Sequence, residues 1–479
     1  MKKISWDDEN SLILILNNMK QAQLREGVPS QKVRADRISR VIALLLDNRV
    51  NFQNSLIADY GHRSRDLTDI ADVASTINEL HYARANLKSW IRPFQKKLEF
   101  PLRFLGANGQ VQYQPKGVVG VLSPWNFPLN LAFAPLAGIL AAGNRAMIKP
   151  SEFTPETSTL MAQLVAERFD ADELHVITGG PKVGAAFSAL PFDHLLFTGS
   201  TSVGRQVMRA AADNLVPVTL ELGGKSPVII GASADPRKAA TGIMHGKVLN
   251  AGQICIAPDY VLLVNSQKKA FVDGARDAIA KMFPSGLKHN DDYTSLLGQH
   301  HYDRLQAHLQ DARKNGAEII EINPKNEDFS NQEGHKLPPI LILDAQDSMS
   351  VMQEEIFGPL LPVCIVSDTA AAVDYVNAQP RPLALYFFGK SSVEEQFVLD
   401  NTTSGGVTVN DTIMHISQND LPFGGVGPSG MGRYHGHSGF LEFSHHKAIY
   451  KQTSWDFLKF LRPPYGSMFN GYLKTLLKR

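Results

Sequence analysis

The chain has 479 residues, 43% apolar and 20% charged, with a formal net charge of +1. That length implies about three domains and a core that needs no disulfide staples, and the charge balance argues against nucleic-acid binding through a broadly basic face. Cys255 and Cys364 are the two cysteines, too few for a disulfide framework or a Cys-rich zinc site, and they suit a reduced, cytoplasmic setting.

In chain order, the apolar run Leu12-Ile13-Leu14-Ile15-Leu16 is too short for the core of a signal peptide, and no apolar stretch reaches the ~18 residues of a membrane span. Asp7 is a candidate cap for a helix to about Glu26, and residues 31–60 continue with helical spacing. Asp66 is a candidate cap for a longer helix toward Trp90. Pro93 and Pro101 then break the pattern, and residues 109–114 read as a short polar strand. From Gly117 the rhythm changes. Residues 117–122 form a short apolar run ending in Ser123-Pro124, as a buried strand does. A helix over about 128–142, a strand at 146–150 and a helix opened by Thr154-Pro155 follow. Strands at 175–178, 194–198 and 218–222 surround a helix at 203–213. A second alternating block runs from about 226 to 406, with a helix before Cys255, a strand at 260–264, a helix at 268–282 and a strand at 383–388. Strands alternating with helices give an α/β fold with parallel sheets, which bind ligands beyond the strands' carboxyl ends. Residues 442–452 alternate like a strand, and residues 454–479 are aromatic and basic.

Two glycine-rich segments and a set of histidines resemble familiar sites. Residues 425–430 match G-x-G-x-x-G, but Pro428 sits inside, no strand precedes and no helix follows, so the segment reads as a tight backbone loop. Residues 199–204 carry the outer glycines of a P-loop, yet Arg205-Gln206 replaces its Lys-Ser/Thr. The segment still joins a strand to a helix, where free N–H groups hold a phosphate. His435, His437, His445 and His446 lack a carboxylate at helical spacing and read as surface histidines, so no metal is expected.

Four polar residues stand at the ends of elements, where catalytic groups of α/β folds sit: Asn126, Lys149, Glu221 and Cys255. Taken singly, a turn Asn, a solvated Lys, a cap Glu and a buried Cys explain them. As a set, with 23 positions from Asn126 to Lys149 and 34 from Glu221 to Cys255, they resemble the aldehyde dehydrogenase family. Its Lys-Pro-Ser-Glu stands at 149–152, Phe-Thr-Gly-Ser at 197–200, Glu-Glu-Ile-Phe-Gly-Pro at 354–359 and Pro-Phe-Gly-Gly at 422–425. The resemblance covers about residues 110–450. Residues 255–260, 410–415 and 421–436 are similar to the class 3 branch. Residues 123–128 and 462–466 are similar to the bacterial coniferyl aldehyde dehydrogenases within it.

This resemblance implies a Rossmann-type cofactor domain (1–98 and 116–224), an α/β catalytic domain (225–425), a β oligomerisation arm (99–115 and 440–452) and a C-terminal tail (453–479). It implies NAD(P)-dependent oxidation of an aldehyde to an acid, with Cys255 as nucleophile, Glu221 as base and Asn126 with the Cys255 N–H as oxyanion donors. Lys149 and Glu152 would hold the adenosine ribose, Gly199 and Ser200 the pyrophosphate, and Glu355 and Phe357 the nicotinamide riboside. Phe127 and Phe423 would line the substrate funnel, with core packing as their bland alternative. Glu152 opposes a 2′-phosphate, so NAD is expected over NADP. The substrate would be an aromatic, cinnamyl-type or medium-chain aliphatic aldehyde, and the assembly a homodimer. The competing readings are a CoA-acylating or phosphorylating relative, a catalytically silent binding protein on this fold, and a cysteine hydrolase without cofactor.

Overall fold

The structure, a computed structural model, describes residues 9–99, 102–104, 106–330, 332, 334–453 and 456–477. Sixteen strands run in chain order: β1 (Phe94–Lys96), β2 (Asn108–Pro115), β3 (Val118–Leu122), β4 (Arg145–Lys149), β5 (Leu174–Val176), β6 (His194–Gly199), β7 (Val218–Leu222) and β8 (Pro227–Ile230). They continue with β9 (Tyr260–Val264), β10 (Glu318–Glu321), β11 (Ile340–Leu343), β12 (Leu360–Val366), β13 (Ala384–Phe388), β14 (Gly406–Val409), β15 (Gly430–Met431) and β16 (Ser444–Lys451).

The strands make three sheets. The first has the order β15-β7-β6-β3-β4-β5 and is parallel except for β15. The second has the order β10-β11-β12-β9-β8-β13-β14 and is parallel except for β10. Helices cross between consecutive strands, so the inner strands are buried on both faces; β3, β4 and β13 are buried at every position. The third sheet is antiparallel, β1-β2-β16, with β2 and β16 paired along eight residues. The site lies where the carboxyl edge of the first sheet meets the amino edge of the second.

Several helix boundaries depart from the sequence expectations. The Asp7 cap lies outside the described residues. Residues 31–60 form two helices, Gln31–Asp47 and Arg49–Tyr60, because Asn48 leaves the helical region at φ −114° and ψ 16°. The third helical stretch is capped by Ser64, which accepts from the Leu67 N–H at 3.2 Å, and not by Asp66. It then passes through a π-helical turn, Thr68–Ala74, before the helix Ser75–Trp90. That turn aims Asp72 inward, where it accepts from the N–H groups of Leu129 and Asn130 and pairs with Arg63 at 2.6 Å. The stretch 128–142 divides into Pro128–Phe133 and Leu136–Ala142 at Pro135, which has no N–H to donate. Thr154 makes no side-chain cap for the helix Pro155–Arg168; Asp59 accepts from the Glu156 and Thr157 N–H groups instead. The helix expected at Val203 begins at Thr201, with Ser200 as its cap.

Residues 425–430 form a tight loop in which Gly430 pairs with Glu221 of β7. His435 is buried rather than at the surface, whereas His445 and His446 lie exposed on β16. Among the described residues no group of three His, Cys, Asp or Glu side chains could hold a metal, and no helix is long and apolar enough to cross a membrane. The helix Ser467–Leu477 near the C-terminus buries none of its residues.

Candidate active site

Cys255 sits in a loop between the helix Pro236–Val248 and β9. Asn250 and Ala251 adopt positive φ there, 48° and 52°, a strained conformation for residues with a Cβ. Neighbours hold the strain in place. Gln253 donates to the carbonyls of Asn250 and Ser295 and accepts from the Leu297 N–H. Gly252 has a φ of 76°, and a Cβ there would stand 2.3 Å from the Gly358 carbonyl. The Glu354–Pro359 segment therefore packs directly against the cysteine loop.

Asn126 follows β3. Its carbonyl accepts from Arg63, Asn250 and Tyr60 at 2.8, 3.1 and 3.2 Å. Arg63 is fully buried, anchored by Asp72 of the π turn. With its backbone fixed, Asn126 aims its amide at the cysteine loop, donating one hydrogen to the Gln253 carbonyl at 3.1 Å. The other amide hydrogen is available to a reacting oxygen.

Glu221 lies on β7 between Thr198 of β6 and Gly430 of β15 and is 2% exposed. The Cys255 thiol donates to its Oε1 at 3.7 Å, and the Thr198 hydroxyl donates to its Oε2 at 3.4 Å. The buried Tyr434 hydroxyl faces the same carboxyl without forming a short hydrogen bond. Burial pushes the Glu221 carboxyl up to about 7, with Tyr434, Cys255 and Thr198 pulling the other way. A carboxyl poised there suits a general base near neutral pH. Burial, then the charges of Glu221 and Glu355, push the Cys255 thiol well above its ordinary range. The resting side chain is thus a thiol whose proton already points at Glu221.

A cleft of about 490 Å³ opens beyond the carboxyl ends of β3, β4 and β6. Its walls include Lys149, Glu152, Gly199 and Ser200. Lys149 is buried and donates to Glu152 at 2.6 Å. The Ser200 hydroxyl is engaged as the cap of the helix Thr201–Ala212, so this corner offers mainly helix-terminal N–H groups to an anion. Glu355 and Phe357 do not line the cleft. They approach from the second sheet: the Phe357 ring meets Trp125 on the cleft wall at 5.2 Å, and Glu355 packs on Gly223, where any Cβ would overlap its carboxyl. Burial, then the charge of Asp259, push Glu355 up to about 8. Buried Ser123 Oγ and Glu355 Oε1 have no partner among the described residues. A largely apolar cleft with a few convergent polar groups and orphaned polar atoms beside it fits a dinucleotide.

Phe127 and Phe423 are 9% and 2% exposed and belong to the main core. Arg63 stacks over Phe127, and Phe423 lies against His435 and His415, so both border the site from the packed interior. Sequence reasoning missed Arg63, Thr198 and Tyr434, each distant in the chain from the group it serves, and Asp72, which anchors Arg63. It also missed His301, whose two ring nitrogens are buried without partners and whose ring lies 4.5 Å from Trp125. Gln253 and Tyr434 fall within segments already singled out, at 250–255 and 421–436, the signal that could have found them.

The sequence matches the aldehyde dehydrogenase family over residues 8–449. It is 54% identical to a probable coniferyl aldehyde dehydrogenase of Caulobacter vibrioides, covering 97% of this chain and 96% of that one. It is 50% identical to a coniferyl aldehyde dehydrogenase of Pseudomonas sp. strain HR199, covering 96% and 95%. The substrate-bound structure of Staphylococcus aureus AldH superposes with a TM-score of 0.91 at 33% identity, covering 98% of this chain and 99% of that one. This chain belongs to the aldehyde dehydrogenase family, whose members oxidise aldehydes with NAD(P).

Proposed function

We propose that this enzyme oxidises cinnamyl-type aromatic aldehydes, coniferyl aldehyde among them, to carboxylic acids through a thioester on Cys255, with NAD preferred over NADP. The observation that carries the chemistry is the Cys255 thiol donating to Glu221 at 3.7 Å beside the fixed Asn126 amide. The substrate class rests on the two relatives named for coniferyl aldehyde at 54% and 50% identity.

Cys255 sulfur bonds to the carbonyl carbon as its proton passes to water, leaving Glu221 ionised for the second half-reaction. The resulting oxyanion accepts from the free Asn126 N–H and the Cys255 backbone N–H. When bound, the dinucleotide supplies the hydride acceptor and a cationic ring. Loss of hydride from carbon leaves the acyl group on Cys255 sulfur. Glu221 then takes a proton from water, whose oxygen attacks the thioester; the C–S bond breaks and the acid leaves. A carboxylate in this position favours water over CoA or phosphate as acceptor. Lys149, Glu152 and the Gly199–Ser200 corner would hold the adenosine and diphosphate portions, and Glu355 with Phe357 the nicotinamide riboside. Glu152 opposes a 2′-phosphate, while its ion pair with Lys149 softens that opposition. Among the described residues the outer edges of β1 and β16 have no paired strand, which supports pairing with a second copy as a homodimer.

The test is kcat/KM over cinnamyl, benzoyl and aliphatic aldehydes with each nucleotide. Cinnamyl-type aldehydes with NAD should rank first. A higher ranking for short aliphatic aldehydes, or for NADP, would overturn that assignment.

A further inference from the structure

One helix is left uncovered among the described residues. Ser467–Leu477 follows β16 by way of the short turn Phe457–Leu461 and buries none of its eleven residues. It folds back on that turn, with the Tyr472 ring edge-on to Phe460 at 5.5 Å. At 3.6 residues per turn, Met468, Phe469, Tyr472, Leu473 and Leu476 share one apolar stripe, and Ser467, Asn470 and Lys474 stand opposite. Met468, Leu476 and Leu477 are 66%, 61% and 73% exposed. Large apolar side chains gathered on one exposed face mark a contact surface.

The charge of the segment points to its partner. From residue 457 to residue 479 the chain carries five basic residues, Lys459, Arg462, Lys474, Lys478 and Arg479, and no acidic one. The formal net charge of the whole chain is only +1, so the remainder is net acidic. Arg462 pairs with Asp456 at 2.7 Å, whereas Lys459 and Lys474 have no ion pair among the described residues. The cores of protein interfaces are depleted in lysine, and a second copy docked helix to helix would bring like charge against like. An apolar stripe beside aromatic rings and cations instead matches the boundary between headgroups and acyl chains, and the cations match anionic headgroups. Tyr465 and Phe469 supply such rings, 4.4 Å apart at the start of the helix. A helix of about 16 Å is too short to span a bilayer, and lying in its surface plane needs no such length.

We propose that residues 457–479 are a reversible membrane anchor. The stripe of the helix Ser467–Leu477 enters an anionic lipid surface, and the basic residues hold it there at headgroup level. The enzyme would then work at a surface in which apolar aldehydes dissolve, whichever aldehyde it takes.

Co-sedimentation of the full chain with vesicles tests the proposal, phosphatidylcholine alone against phosphatidylcholine mixed with phosphatidylglycerol. At low salt the wild type should bind the anionic vesicles at least about tenfold more tightly than the neutral ones, and about 0.5 M salt should remove most of that preference. Met468→Asp with Leu476→Asp should leave the protein in the supernatant while turnover without vesicles stays near wild type. Lys459→Gln with Lys474→Gln should also keep turnover and lose most of the anionic preference. A wild type that ignores anionic vesicles at low salt overturns the proposal. So does binding that is unchanged in the Asp variant. If that variant does not fold, the salt dependence of the wild type and the Gln variant decide alone. A wild type that stays off vesicles, together with an Asp variant that drops to a smaller assembly in sedimentation velocity, would overturn the proposal in favour of a second copy on this face. Vesicle binding is read without substrate, so its failure is separate from any failure of the proposed chemistry.

Discussion

The two thiols of this chain occupy regions alike in burial and unlike in everything that makes a nucleophile. Cys364 lies within β12, between β11 and β9, with its backbone committed to the sheet. Burial, then the charge of Asp347, push it up to about 12. Cys255 is also pushed up by burial, so desolvation does not distinguish the two. The surroundings do. Cys255 sits in a strained loop outside any strand, donates to a carboxyl, and has an amide donor held opposite. A buried cysteine becomes a catalytic candidate through the carboxyl and the oxyanion donor that face it, not through its own acidity.

The largest expected effect removes one thiol at a time. Cys255→Ala should abolish NADH production, and Cys364→Ala should leave most of it. Substantial turnover by Cys255→Ala, measured at saturating aldehyde and NAD, would erase the contrast between the two regions. Next in size is Asn126→Ala, which keeps the thiol and base and removes one oxyanion donor. It should lower kcat by roughly 10²–10³-fold, the scale of about 2.7–4 kcal/mol for such a donor. A loss confined to KM would assign Asn126 to binding instead. The smallest effect lies in the cleft. Glu152→Gln should narrow the preference for NAD over NADP by up to about tenfold, equivalent to roughly 1.4 kcal/mol, read as the ratio of kcat/KM values. An unchanged ratio would show that Glu152, paired with Lys149, does not face the 2′ position.

How much of this was legible in the sequence follows from how local each cause is. β3 and β6 were readable because strands covered on both faces carry apolar runs ending in polar groups, and β7 because Val218, Leu220 and Leu222 alternate with Thr219 and Glu221. Asn126, Glu221 and Cys255 were readable as an ordered set at the ends of such runs. The caps were not. Asp59 caps a helix that starts about a hundred residues later in place of the adjacent Thr154, and no local pattern encodes that. The π turn hid inside a helical periodicity, although it is what places Asp72 under Arg63 and so fixes Asn126. β10 and β15 are short, and β10 is half exposed, so neither produces an apolar run. Tyr434 reaches Glu221 only through tertiary packing, and His435, which reads as a surface residue in the sequence, is buried by its neighbours.

The central claim is that Cys255 carries an acyl group which Glu221 clears with water. Its most direct test is a single mixing experiment on Glu221→Gln with NAD and a good aldehyde, followed by mass spectrometry of the quenched protein. If Glu221 serves hydrolysis alone, NADH should appear in a rapid burst of about one per active site, with steady turnover lowered by roughly 10²–10⁴-fold and the acyl group found on Cys255. If the burst instead slows in parallel with turnover and no acyl-enzyme accumulates, while NAD still binds, the hydrolysis-only role is contradicted and Glu221 is required to activate the thiol.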